Sequence, residues 1–127
     1  MATLSAWSTA GPWAARRGFD SLVQAASGIA ALQTAPDGTP GALPVQGLDH
    51  GTGYLLAAAV LRAAARRAAE GGGWVAELSL AQTAAWLLRQ PRTTPGQGAE
   101  LDTARWTAET DTPMGRIRYA LPPGGRA

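Results

Sequence analysis

Four carboxylates sit where chemistry could use them: Asp20, Asp49, Glu100 and Asp102. A carboxylate can serve as a nucleophile, or as a general acid or base. Asp49 stands apart from the other three. It follows the apolar residues Leu43, Val45 and Leu48, and it precedes Gly51-Thr52-Gly53 and the most helix-prone stretch of the chain. A helix N-terminus holds a carboxylate anionic through its dipole and its free backbone N–H groups. The flanking glycines would let a ligand approach the backbone closely. Asp49 therefore reads either as an N-cap or as a functional carboxylate. Asp20 falls at a helix start and reads as a cap. Glu100 and Asp102 fall in a linker and read as solvated surface.

The remaining polar chemistry is sparse. The one histidine, His50, is the only residue through which a Ser-His-Asp triad could be built. With no cysteine there is no disulfide framework, thiolate metal site or cysteine nucleophile. A metal site would have to rest on carboxylates, so none is expected. Arg62, Arg66 and Arg67 could meet phosphates along a helix face, or simply be solvated. Gly71-Gly72-Gly73 suggests a phosphate loop, but such a loop needs a strand before it and a helix after it. Here the order is helix, glycines, strand, which is a helix stop and a turn.

The elements that must position these residues follow from the pattern. Residues 2–8 read as a short strand broken by Gly11-Pro12. A helix starts near Asp20 or Ser21 and runs through LVQAASGIAAL, weakened at Gly28, with Leu22, Val23, Ala26, Ile29 and Ala30 on one face. Residues 33–47 form a proline- and glycine-rich loop, and Leu43 to Leu48 supplies a short extended piece. The longest helix covers about Gly51 to Glu70, with Leu55, Leu56, Ala59, Val60 and Ala63 as its stripe, and Asp49 lies at or just before its start. Trp74 to Leu78 is a strand, and Ser79 caps a helix that Pro91 stops. Residues 103–109 and 114–120 form two strands joined by Thr110 to Pro113, and Pro122 to Ala127 form a tail. The organisation expected is a segment over 1–90, a linker over 91–101, and a hairpin with tail over 102–127.

Composition bounds the rest. The chain has 127 residues, 46% apolar and 16% charged, which suits one globular domain. It holds 28 Ala and 16 Gly, so its core buries little area per residue. Such a chain is expected to need a partner or to belong to something larger. All 11 basic residues are Arg against 9 acids, a net charge of +2 with no accompanying nucleic-acid motif, so nucleic acid is not expected as a partner. The longest apolar run, Tyr54 to Leu61, is far short of the ~20 residues that span a bilayer, so neither is a membrane. With no basic-then-apolar N-terminal region, the expected location is the cytoplasm.

Order and spacing of several short motifs carry a resemblance. Gly18-Phe19-Asp20, Gln24-Ala25 and Ser27-Gly28 are followed by a proline loop. Asp49 with Thr52-Gly53 then opens a helix that runs on through Ala58 to Ala63. Together with LSAWSTAGPW before them and VAELSLAQTAAWLL after, these resemble class III CoA-transferases, the CaiB/BaiF family, over residues 4–90. The resemblance implies an α/β fold: a partial Rossmann-like fragment with an Ala-rich long helix, a strand-helix unit and a C-terminal hairpin. It implies transfer of coenzyme A from an acyl-CoA to a carboxylic acid through aspartyl anhydrides, with Asp49 as nucleophile. Coenzyme A thioesters would be substrates, with no bound cofactor; which residues hold coenzyme A is open. Racemases in the same family carry His where this chain has Phe19, and Phe cannot move a proton. Family members are longer, and their N-terminal part builds most of the CoA-binding domain. The expectation is thus a truncated or split enzyme that needs another chain or a homodimer. A non-catalytic interaction fragment and a racemase-like protein stay open as alternatives.

Overall fold

The computed structural model describes residues 1–91 and 102–122, in two units, Met1–Pro91 and Arg92–Ala127. In the first unit, strand β1 (Ala2–Ser5) leads through a loop to helix α1 (Asp20–Ser27) and the single turn α2 (Ile29–Leu32). A second loop leads to helix α3 (Gly47–Glu70), strand β2 (Ala76–Ser79) and helix α4 (Leu80–Leu88). β1 and β2 pair in parallel, with Ala2 opposite Ala76 and Ser5 opposite Ser79. A parallel pair needs a crossover, and here the three helices between the strands supply it. The result is mixed helix and strand, in keeping with an α/β architecture.

Each helix contributes to a single small core. Val23 of α1, Ile29 of α2, Leu48 of α3, and Leu80 and Ala84 of α4 are its buried apolar residues, flanked by half-buried Ala6, Trp7, Leu43, Ala81 and Leu88. They converge on the first turn of α3. Farther along, that helix shows only a narrow inward stripe: Thr52 is buried, Leu56, Ala59 and Ala63 are half-buried, and Leu55, Val60 and Leu61 are exposed. The inward stripe differs from the expected one: Thr52 joins it and Leu55 and Val60 leave it, because α3 packs against β2 and α4 along that line. Likewise α1 turns Gln24 inward and leaves Leu22 and Ala26 exposed.

Several boundaries differ from those the sequence suggests. The helix through Gly28 breaks there: Gly28 takes φ 89°, a left-handed conformation that ends α1. The piece Leu43–Leu48 is not a strand; loop runs to Gln46, and α3 starts at Gly47 rather than Gly51. β2 begins at Ala76, two residues after Trp74, and Gly71 closes α3. Ser79 caps α4 as expected, its Oγ accepting the Gln82 N–H at 3.2 Å. In the second unit, residues Thr103–Trp106 form a 3-10 turn rather than a strand. Asp102 caps that turn by accepting the Ala104 N–H at 3.1 Å. Strands β3 (Thr107–Thr112) and β4 (Gly115–Ala120) follow as an antiparallel hairpin closed at Pro113-Met114. The expected linker beyond Pro91, with Glu100, and the tail beyond Pro122 lie outside the described residues.

Gly18 marks a close approach, whereas Gly53 has open space around it. A Cβ on Gly18 would sit 2.5 Å from Ala6 Cβ and 2.7 Å from Trp7 Nε1, because the entry to α1 presses on the end of β1. A Cβ on Gly53, inside α3, would meet nothing within 4 Å. Gly18→Ala should therefore lower stability by about 1–3 kcal/mol through overpacking. Gly53→Ala should raise it by about 0.5–1 kcal/mol through helix propensity. Thermal unfolding of the two variants beside the parent chain checks the opposite signs.

Candidate functional site

The site is built on the first turn of α3, whose leading N–H groups have no intrahelical acceptor. The first helical bond closes at His50, whose N–H donates to Gln46 O at 3.1 Å. The side chain of the N-cap residue, Gln46, makes no cap hydrogen bond. The acceptor comes instead from α1: Asp20 Oδ2 takes the Leu48 N–H at 2.8 Å and the Asp49 N–H at 2.9 Å. Asp20 Oδ1 accepts from the Gln24 side-chain amide, whose own oxygen accepts the Leu43 N–H at 2.8 Å. Asp20 is thus a cap, but not of its own helix. α1 starts after Phe19 with no side-chain cap bond, and Asp20 caps a helix 28 residues later.

This arrangement leaves the Asp49 side chain out of the capping. Asp49 lies inside the first turn of α3, not before it, and its carboxylate makes no capping bond. Leu48 before it is 1% exposed, whereas Asp49 and His50 are both exposed. The backbone at Asp49 is held while its side chain stays open to a ligand. Thr52 anchors the following turn: its Oγ1 donates to Thr83 Oγ1 at 2.8 Å, and Thr83 Oγ1 donates to Ser79 O at 3.2 Å. Gly51 packs on the Thr83 methyl, where a Cβ would sit 3.7 Å away, and Gly53 faces open space. One expectation changes. The helix start is expected to offer free N–H groups to the Asp49 carboxylate, but those of Leu48 and Asp49 serve Asp20.

The other candidate residues do not join this site. Arg66 pairs bidentately with Glu70 at 3.0 and 3.1 Å and lies 3.8 Å over the Trp74 ring, which commits it to the far end of α3. Arg67 lines a separate apolar trough there with Val60, Ala64, Trp74 and Val75. Asp37 sits in the exposed loop, where the Thr39 N–H donating to it at 2.9 Å holds its carboxyl below the usual range. Phe19 is exposed beside Asp20. Among the described residues no group of three or more His, Asp or Glu side chains could hold a metal ion. Nor is any helix there long and apolar enough to cross a membrane. Sequence reading missed Asp20's partners because they are distant in the chain; the Asp20–Gln24 spacing of one helical turn was the available signal.

A family model described as CoA-transferase family III matches residues 1–122. The chain belongs to that family. A curated member, "Probable fatty acyl-CoA transferase Rv3272" from Mycobacterium tuberculosis (strain ATCC 25618 / H37Rv), is 34% identical over 86 residues, 68% of this chain and 22% of that protein. A crystal structure of Rv3272 aligns with a TM-score of 0.62, covering 68% of this chain and 24% of that one. A CaiB/BaiF family protein from Brucella suis aligns at 28% identity with a TM-score of 0.64, covering 69% and 23%. This CoA-transferase family III chain therefore spans less than a quarter of the length of these relatives.

The two aspartates should separate in stability measurements. Asp20→Ala strands two first-turn N–H groups and the Gln24 amide, and should cost about 2–4 kcal/mol. Asp20→Asn should fall between Ala and the parent, because its NH2 must face another donor on one side. Asp49→Ala and Asp49→Asn should both stay within about 0.5 kcal/mol of the parent, since no capping bond is lost. Urea denaturation of the four variants provides the test.

Proposed function

We propose that Asp49 is the nucleophile of a CoA-transferase reaction, moving coenzyme A from an acyl-CoA thioester to a carboxylic acid. The observation that carries the reading is the exposed, uncommitted Asp49 carboxylate on a turn whose backbone Asp20 holds. Family membership supplies the chemistry.

An Asp49 carboxylate oxygen attacks the thioester carbonyl carbon, the C–S bond breaks, and the CoA thiolate leaves, giving an aspartyl-acyl anhydride. The thiolate attacks Asp49 Cγ, releasing the donor's carboxylate and leaving an aspartyl-CoA thioester. The acceptor carboxylate attacks Cγ in turn and expels the thiolate, forming a second anhydride. The thiolate then attacks the acceptor's acyl carbon, which yields the new acyl-CoA and restores the Asp49 carboxylate. No proton or electron is gained or lost. Each tetrahedral step develops an oxyanion and needs donors, and the anhydrides need shelter from water. With the Leu48 and Asp49 N–H groups occupied by Asp20, those donors belong to other groups. Surface for the long coenzyme A molecule would come from polypeptide outside these 127 residues, against which exposed Leu4, Tyr54, Leu61 and Val75 offer apolar contact. A racemase reading lacks its second proton carrier, because Phe19 has none to give.

Intact-protein and peptide mass spectrometry after incubation with acyl-CoA donors tests the assignment. An acyl or CoA adduct is expected on the peptide containing Asp49, and hydroxylamine should discharge it. Asp49→Asn should reduce labelling to background as fully as Asp49→Ala. An Asn variant that labels like the parent would remove Asp49 from the nucleophile role.

A further inference from the structure

Val45 has φ 56°, in the left-handed region that a β-branched side chain avoids. It is 78% exposed, so no packing around the side chain holds it there. The cause lies on either side. Leu43 is pinned through its N–H by Gln24 Oε1, and Leu48 and Asp49 are pinned through theirs by Asp20 Oδ2. Between these anchors Pro44 has its φ locked by the ring, and Leu43, preceding a proline, is confined to extended backbone. The reversal into α3 must then be absorbed at Val45. Gly47 leaves no slack, because a Cβ there would sit 3.2 Å from Leu43 Cδ1.

Gln24 ties the two anchors together. Its amide orientation is dictated by both partners: the Leu43 N–H requires an oxygen, and the acceptor-only Asp20 carboxylate requires the NH2. The side chain is 3% exposed and bridges the start of the strap to the cap of α3. We propose that Gln24 is a positioning residue, clamping the strained Leu43–Gln46 strap so that the Asp49 turn is held in one geometry. Its importance for chemistry rests on Asp49 being the nucleophile; the clamp itself does not.

Amide hydrogen exchange and NMR on the full chain test the clamp. Gln24→Ala should abolish the strong intraresidue HN–Hα contact that positive φ produces at Val45. It should also lower protection of the Leu48 and Asp49 amides at least tenfold, leaving mid-α4 amides unchanged. Adding Val45→Gly to Gln24→Ala should restore part of that protection, because Gly adopts positive φ without strain. A residue that merely contributes stability predicts additive loss instead. Val45→Gly alone should raise Tm while keeping both amides protected, and this decides the matter if Gln24→Ala does not fold. A Gln24→Ala chain that keeps positive φ at Val45 and full protection overturns the clamp, as does a Val45→Gly chain with lowered Tm. Labelling of Asp49 by acyl-CoA supplies the separate arm. If the parent chain labels, Gln24→Ala should label at least tenfold more slowly, and an unchanged rate overturns the positioning role. If the parent does not label, the nucleophile reading fails while the exchange data still decide the clamp.

Discussion

A buried carboxylate accepting hydrogen bonds from the start of a distant helix organises the first unit. Asp20 is 1% exposed, and among the described residues no Arg pairs with it. Burying an unpaired carboxylate costs several kcal/mol. Here the opposing charge is the positive end of α3, delivered through the Leu48 and Asp49 N–H groups. The arrangement resolves two deficits at once: a helix start without its own cap and a carboxylate without a cation.

The core follows from that contact. Once α1 is fastened to the first turn of α3, Val23 and Leu48 are brought together, and Leu80 and Ala84 of α4 close over them. The hydroxyl chain from Thr52 through Thr83 to Ser79 O extends the same junction to the end of β2. Small residues permit this closeness. Gly18 lets the chain pass Ala6 and Trp7, and Ala84 lets α4 approach its neighbours. Away from the junction α3 is Ala-rich and Leu55, Val60 and Leu61 are exposed, so its length adds little to the fully buried core.

For the chemistry, the capping bond separates two roles that one aspartate could have combined. An Asp that caps its own helix spends its oxygens on backbone N–H groups. Because Asp20 takes that duty, Asp49 keeps both oxygens available while its backbone is held on either side, by Asp20 before it and by Thr52 after it. The nucleophile role proposed for Asp49 depends on that availability.

Local pattern alone determined much of this protein. The run of Ala and Leu marked α3 as the longest helix, the glycines after Glu70 marked its end, and Ser79 marked the start of α4, because propensity, C-cap and N-cap act within a few residues. The motifs around Asp20 and Asp49 carried the family. Tertiary structure decided which of those aspartates caps α3. Gly47, Leu48, Asp49 and His50 are helical because an acceptor 28 and 29 residues away satisfies their turn, and local sequence could not contain that acceptor. The inward turn of Gln24, the positive φ of Val45 and the shifted stripe of α3 have the same origin: each is set by what meets the residue across the fold, not by its neighbours in the chain.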